Sequence, residues 1–224
     1  MQKISIIIPT LNEATSIQCC LPSLKSFQKN GHEIIVVDGG SNDLTTTLAQ
    51  QYADYVLCGP KGRAKQLNVG SKKASGDLFI FLHADTVLPE KTENLLQRIA
   101  KDERVWGRFD VQLSGTKLLF RIIEFFMNIR SRVTGIATGD QAIFVSRELF
   151  ERAGGFPEIE LMEDILFSVN LKKICSPVCL KEKVITSSRR WEKHGIIRTI
   201  FKMSFLRLRY AFGASPEKLA RLYD

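Results

Sequence analysis

The chain is poor in cysteine and has no long hydrophobic run. Its five cysteines, Cys19, Cys20, Cys58, Cys175 and Cys179, are odd in number and form no C-x-x-C pair. Cys175-x-x-x-Cys179 lacks a second pair of ligands, and a chain of 224 residues does not need staples. Reduced thiols are therefore expected rather than a disulfide framework or a zinc site. No uncharged apolar stretch approaches the roughly 20 residues that span a bilayer. Ile4 to Ile8, followed by Pro9, is too short for the apolar region of a signal peptide, and no small-residue cleavage site follows it. A cytoplasmic location is the expectation. Internal repeats and low-complexity linkers are missing, which argues for one domain with an appendage. The G-x-G-x-x-G fingerprint is missing too, which argues against a dinucleotide-dependent oxidoreductase.

What is present is ordinary in amount and uneven in placement. Hydrophobic residues make up 44% and charged residues 25%, as in a soluble globular protein with a substantial core. The net charge is +8. Residues 181–224 carry 11 Lys/Arg against 4 Asp/Glu, while the other 180 residues carry 21 against 20. Nearly all the excess is thus in the last fifth of the chain. A basic tail raises nucleic-acid binding as one class of function. The chain has no recognisable reading motif and no aromatic platform interleaved with the cations, so nucleic acid is not the expected partner.

Strand and helix patterns alternate from the start. Residues 3–8, 33–37, 55–57 and 78–82 read as strands. Helices are predicted over Asn12–Lys29, with Pro22 as a break or kink, and over about 43–53 and 63–74. Another is predicted after Pro89 to about Asp102. This β-α-β-α-β order implies a mostly parallel sheet covered on both faces. In the second half, strands are expected at 105–113, 141–145 and 183–187, the last at an edge. Helices are expected at 117–130, 147–153 and 163–174. The predicted units are a domain over residues 1–193 and a basic helical tail over 194–224.

Two buried-looking strands end in acids. Leu78-Phe79-Ile80-Phe81-Leu82 leads into His83-Ala84-Asp85, and Ile34-Ile35-Val36-Val37 leads into Asp38. The carboxyl ends of such strands form the rim where open α/β sheets bind ligands. Thr10, Asn12, Glu13 and Asp38 supply hydrogen-bonding groups suited to a base and ribose, Asp38 accepting from an N–H or a hydroxyl. Pro9 fixes the backbone where a base would lie. Asp85 can hold a divalent cation against a diphosphate. The plainer alternative is that Pro9 ends a strand, Asn12 and Asp85 cap helices, and Asp38 opens a turn. Arg63, Lys65 and Gln66 begin a helix after Gly62, a plausible anion site.

Four segments, Pro9-Thr10-Leu11-Asn12-Glu13, Val37 to Asp43, His83-Ala84-Asp85-Thr86 and Glu163-Asp164, resemble in order and spacing the family 2 glycosyltransferases. The likeness covers about residues 3–191. Leu82-His83-Ala84-Asp85-Thr86, with Gly62-Arg63-Ala64-x-Gln66-x-Asn68 before it, resembles a stand-alone bacterial branch with a His-Ala-Asp variant of the Asp-x-Asp motif. The resemblance implies the GT-A fold, a Rossmann-like α/β three-layer sandwich with a mostly parallel central sheet. It also implies a metal-dependent, inverting transfer of a single sugar from a nucleotide-diphospho-sugar, expected to be UDP-linked, to an acceptor hydroxyl. The cofactor implied is Mn2+ or Mg2+.

By the same resemblance Asp164 is the general base beside Glu163. Arg63, Gln66, His83, Ala84 and Asp85 face the donor, and Asp140 and Gln141 face the acceptor. Arg189-Arg190-Trp191 is similar to part of a Q-x-x-R-W element, with Ser187 at the Gln position. This disfavours processive synthesis and makes Arg190 and Trp191 acceptor-side candidates. His194 stands where several such enzymes place a carboxyl-terminal metal ligand. A sugar nucleotidyltransferase on a related sheet would want a Gly-rich, Arg-containing loop after strand one, and Pro9 to Glu13 is not one.

From Ile196 to Tyr210, Arg198, Lys202 and Arg209 form one basic stripe on an otherwise apolar helix. It suits an anionic membrane surface carrying a lipid-linked acceptor, assisted by Lys117–Arg130 with Phe120, Ile123, Phe126 and Met127. Packing of both helices on the domain or at a homodimer interface is the favoured reading of the two.

Overall fold

A computed structural model describes residues 2–100 and 104–223. The first half runs β1 (Ile4–Thr10), α1 (Ala14–Ser23), α2 (Lys25–Lys29), β2 (Glu33–Asp38), α3 (Thr45–Ala49), β3 (Tyr55–Cys58), α4 (Arg63–Lys73), β4 (Leu78–Phe81), β5 (Thr86–Val87) and α5 (Thr92–Ile99). The second runs β6 (Trp106–Leu113), α6 (Leu118–Thr134), β7 (Ile143–Ser146), α7 (Arg147–Arg152), α8 (Glu163–Lys172), β8 (Val178–Thr186), α9 (Arg189–His194), α10 (Ile196–Ala211) and α11 (Pro216–Tyr223). One sheet joins the strands in the order β3-β2-β1-β4-β7-β6-β8-β5. The β3-β2-β1-β4 run and the β6-β8 pair are parallel; β7 and β5 pair antiparallel with their neighbours.

The apolar runs are strands because both of their faces find cover. Side chains alternate across a strand. Ile4, Ile6 and Ile8 pack with Ile34, Val36, Leu78 and Ile80 under Ile17, Leu21 and Phe27 of α1 and α2. Ile7, Ile35, Val37, Phe79 and Phe81 turn the other way, onto Leu67 of α4, Leu149 of α7 and Phe167 of α8. The result is the α/β three-layer sandwich expected from the residues.

An aromatic nest on this second face reaches up to the rim. The Phe81 and Phe156 rings are 4.7 Å apart between centroids, and those of Phe156 and Phe167 are 4.1 Å apart. It anchors both the turn at Gly154–Phe156 and the start of α8.

Several elements depart from the sequence expectations. The helix expected over Asn12–Lys29 survives Pro22 and breaks at Leu24 instead. The helix expected to end at Asp102 is described as far as Ile99; Asp102 lies outside the described residues, as do Met1 and Asp224, the outer limits of the two predicted units. The strand expected at 183–187 begins at Val178 and is not an edge strand. It pairs along β6 and accepts β5 at its far end, Thr186 opposite Thr86. Its lysines and Glu182 masked it, because its outer face stays in solvent.

The two-residue strand β5 and the helix α9 were not anticipated. The tail packs on the domain through one side only. Leu206 and Leu219 meet Leu161 and Met162 just ahead of α8.

At the opposite edge from the acids, Glu33 ties three segments together. Its carboxylate accepts from Ser5 Oγ at 2.5 Å, Ser75 N at 2.6 Å and Ser75 Oγ at 2.8 Å, and it pairs with Lys3 Nζ at 3.0 Å. Burial alone raises its pKa. The donors from Ser5, Ser75 and Lys3 outweigh that and lower it from 4.5 to about 2. A depressed carboxyl stabilises the fold fully above its unfolded pKa and loses that contribution as pH falls through the folded value. Urea unfolding from pH 6 down to pH 2.5 should therefore show stability falling below about pH 4.5, with a shallower fall in Glu33→Gln. At pH 7 Glu33→Ala should cost about 3 kcal/mol, since Ser5, Ser75 and Lys3 lose their acceptor. Equal pH slopes in wild type and Glu33→Gln would show that another group controls acid unfolding.

Candidate active site at the carboxyl rim of the sheet

Parallel pairing places Thr10 opposite Asp38 at the ends of β1 and β2, and Phe81 opposite Ile7 two residues before His83. The loops after these strands therefore open on the same rim. Asp38 is buried and accepts four hydrogen bonds. They come from Gly40 N at 2.9 Å, Ser41 N at 2.8 Å, Ser41 Oγ at 2.5 Å and Thr10 Oγ1 at 3.1 Å. Burial pushes its pKa up, and the Ser41, Gly40 and Thr10 donors more than offset that, holding it below the usual carboxylate range. Two of its four donors are hydroxyls, which rotate, so a ligand N–H or hydroxyl can replace them without breaking the amide bonds.

Asn12 is bent into the left-handed region, φ 54°, which Asn tolerates better than most side chains. The bend lets its N–H donate to Ser41 Oγ at 2.7 Å while its Oδ1 accepts from Asn42 N at 2.9 Å. Asn12 thereby locks the loop carrying Pro9 to Glu13 onto the loop after Asp38. Gln66 works from behind. Its buried amide donates to the carbonyls of Thr10 at 2.7 Å and Val37 at 2.8 Å, pinning the two strand ends together.

Asp85 follows Ala84, which is buried, and stands beside Glu13 and Arg189. Burial raises its pKa, and the like charge of Glu13 adds to this; Arg189 and the Thr86 hydroxyl pull the other way. Its carboxylate accepts a long hydrogen bond from Thr86 Oγ1, 3.4 Å. Glu13 itself accepts from Ser16 Oγ at 2.6 Å and pairs with Arg189 at 3.2 Å. A half-satisfied carboxylate next to a second acid suits a divalent cation. Among the described residues no three His, Cys, Asp or Glu side chains converge as a complete metal cage. Asp85 thus fits the pattern of hard cations held by one or two carboxylates together with substrate phosphate oxygens.

The other end of the cleft is reached through His83. Its imidazole lies so close to Gly139 that a Cβ there would fall 2.3 Å from Nε2. Burial, then the charge of Arg63, lowers its pKa to about 3, so at neutral pH it is an uncharged ring. Gly139 N donates to Asp164 Oδ2 at 2.9 Å, and Ile165 N donates to Oδ1 at 2.8 Å. Glu163 is buried and pairs with Arg63 at 2.9 Å. Burial raises the Glu163 pKa, Arg63 lowers it, and Asp164 raises it again, the net direction being up.

Asp140 accepts from Thr138 Oγ1 at 2.5 Å, while Gln141 is buried with its Oε1 accepting from Thr138 N at 3.2 Å. Arg63, Phe81, His83, Gly139, Glu163 and Asp164 share one narrow crevice. Among the described residues, the three non-glycine residues with positive φ are Asn12, Ala142 and Met162. Each adjoins a site segment, so backbone strain is concentrated here.

Two groups from the Arg189–Trp191 segment point elsewhere than the residue pattern suggested. Arg190 stacks on Tyr223, 3.9 Å from the ring centroid, and Trp191 packs among Leu113, Phe120 and Ile123. Arg189 is the cation of this segment that reaches Glu13. His194 closes α9 on its exposed side, at the other end of that helix from Arg189.

Residue patterns missed Ser41, Arg189, Arg130 and Tyr210. Ser41 lay in a recognised loop, but Arg130 and Tyr210 read as positions on amphipathic helices. Burial lowers the Arg130 pKa to about 10, Arg207 adding to this and Asp140 and Asp164 opposing it. Tyr210 is raised by burial and by Asp164. The five cysteines form no disulfide; Cys20, close to Asp85, is pushed up to about 12 by burial first and by that acid second.

A family model described as Glycosyl transferase family 2 matches residues 5–152. The protein named Probable glycosyltransferase YdaM of Bacillus subtilis is 28% identical over 197 residues, 76% of this chain and 47% of YdaM. Glycosyltransferase AglE of Haloferax volcanii is 34% identical over 91 residues, 37% of this chain and 30% of AglE. The chain spans less than half the length of these relatives. The mannosyltransferase PcManGT from Pyrobaculum calidifontis, solved in complex with GDP-Man and Mn2+, superposes with a TM-score of 0.67. It is 20% identical, over 99% of this chain and 69% of its own. S. aureus TarS 1-349 in complex with UDP-GlcNAc gives 0.65 at 22% identity, over 83% of this chain and 58% of its own. The fold is GT-A.

The Gly139–His83 contact yields a test. Gly139→Ala should cost about 1–3 kcal/mol through overpacking. His83→Ala in the same chain should recover much of that loss in a double-mutant cycle measured by chemical denaturation. Strict additivity would mean that the two residues do not touch.

Proposed function

Because the chain belongs to glycosyl transferase family 2, we propose that it transfers a single sugar, with inversion, from a UDP-linked sugar donor to an acceptor hydroxyl. The observation that carries this reading is the meeting of three acids on one rim. Asp38 ends β2, Asp85 follows β4, and Asp164 is tied to Gly139, which rests on His83. The nucleotide complexes of PcManGT and TarS, each on the same fold, support a nucleotide-sugar as donor.

In this reading Pro9, Thr10, Asn12 and Asp38 receive the base and ribose. Asp38 accepts from the base N–H or a ribose hydroxyl once Ser41 or Thr10 turns aside. Asp85 would hold Mn2+ or Mg2+, with His83 and Ala84 beside it on the same segment. Bound there, such an ion would supply neutralisation of the charge developing on a departing diphosphate. Arg189 adds a positive charge beside the same acid.

Asp164 accepts the proton of the acceptor hydroxyl as that oxygen attacks the anomeric carbon from the face opposite the leaving group. Amide donors from Gly139 and Ile165 each engage one Asp164 oxygen, fixing the carboxylate while leaving lone pairs for the incoming hydroxyl. Glu163 and Arg63 hold each other at the base of α8 and keep that helix start in place. Asp140 and Gln141, on the loop above His83, form the acceptor side.

Thermal shift against a panel of UDP- and GDP-sugars, with and without Mn2+, should show stabilisation by a UDP-sugar that needs the cation. Asp85→Ala should abolish the Mn2+-dependent part. Asp164→Asn should keep the shift and lower transfer by about 10²–10⁴. Wild-type transfer by Asp164→Asn would remove that residue as the base, and stabilisation by GDP-sugars alone would reassign the nucleotide.

A further inference from the structure

The helices that flank the acceptor end leave apolar faces uncovered. Along α10, Ile197, Phe201, Phe205, Leu208 and, just past its end, Phe212 turn outward, Phe201 and Phe212 being 72% and 84% exposed. Their spacing of three and four residues puts them on one stripe. Helix α6 exposes Leu118, Ile122, Phe125, Phe126 and Val133 in the same manner, Phe126 at 63%. Scattered exposed apolar residues need no explanation; continuous stripes along two helices do.

The two helices belong together. Ile196, at the start of α10, packs with Phe120 and Ile123 on the inner side of α6. Arg207 of α10 stands close enough to Arg130 of α6 for their charges to repel. Both helices also reach the catalytic end, since Arg130 sits in the field of Asp164 and Tyr210 is raised by the same acid.

Charge selects the occupant. Residues 196–212 contain no Asp or Glu, and the one acid of α6, Glu124, is buried. Arg198 and Arg209 are exposed along the α10 stripe, Arg209 lying over the Phe205 ring at 5.6 Å. Lys117 stands exposed at the start of α6. A second copy of the chain seated there would set these cations against their own equivalents. An anionic bilayer instead offers hydrocarbon to the phenylalanines and phosphate to the arginines.

We propose that α10 and α6 form an interfacial platform that docks on an anionic lipid surface, with the helices lying in the headgroup plane. Docking sets the opening beside Asp164 at headgroup level, where a hydroxyl carried by an amphiphilic acceptor would arrive. That consequence rests on the glycosyltransferase reading; the docking itself does not.

Co-sedimentation of the full chain with phosphatidylcholine vesicles containing phosphatidylglycerol should capture it, and pure phosphatidylcholine vesicles should not. Raising the salt should release it. Arg198→Gln should weaken partition about fivefold, and Phe201→Ser about tenfold. Both variants should keep the Mn2+-dependent thermal shift with the donor, which separates loss of docking from loss of the donor site.

Equal partition to both vesicle types, or none to either, would overturn the proposal. So would a dimer in light scattering that Phe201→Ser converts to monomer while vesicle binding is absent; that result would assign the face to a second copy.

Discussion

Thr10 faces Asp38 across a parallel ladder, and the same β1 strand sets Ile7 against Phe81 on its other side. Every charged group of the cleft depends on that register. Because β1, β2 and β4 all run the same way, their carboxyl ends open together, and each loop must place polar groups in one shared space. A slip of one residue would turn the acid-bearing ends toward the opposite face and set each isoleucine against the wrong helical layer. The apolar contacts on both faces thus hold the polar rim in place as well as the core.

The rim is costly to maintain, and the local structure shows how the cost is met. Asp38 is held ionised by four donors, and the strand ends beside it are pinned by Gln66. Asp164 is fixed by two amides, one from its own helix start and one from the Gly139 turn. Asp85 lacks comparable support, and burial together with Glu13 opposes its charge. Asp85 is therefore the least satisfied of the three acids, and the proposed cation and diphosphate would complete its surroundings. Strained backbone at Asn12, Ala142 and Met162 lies next to these same groups, where surrounding contacts hold it.

The second half of the chain brings the cleft its far wall. Strand β5 clips the residues just after Asp85 onto the end of β8, with Thr86 Oγ1 and Thr186 Oγ1 2.9 Å apart. From there the chain enters α9, whose first residue, Arg189, reaches back to Glu13. The tail helices then support the segment before α8 on one side and leave their apolar stripes open on the other. The two ends of the cleft and the uncovered helices are in this way mechanically continuous.

The alternation of apolar runs with helical patterns was enough to place β1, β2, β4 and the acids that follow them. A fully buried strand has to be apolar throughout, and such runs are legible one residue at a time. Glu163 and Asp164 stood out through the family resemblance, which a Glu-Asp pair carries as a short local motif. Other features depended on chain segments far apart in sequence. Arg189 reaches Glu13 across 176 positions, and nothing local distinguished it from Arg190, which turns to Tyr223 instead. Strand β8 was half hidden because its outward side chains are charged, and β5 is too short to carry any pattern. Which apolar positions of α6 and α10 would be covered was likewise undecided by their periodicity, since an amphipathic stripe looks the same whether it meets protein, lipid or water. The sequence by itself determined which strands are buried and which acids end them; the tertiary structure decided which cation answers each acid and which face stays open, because those choices depend on partners that local residue patterns do not encode.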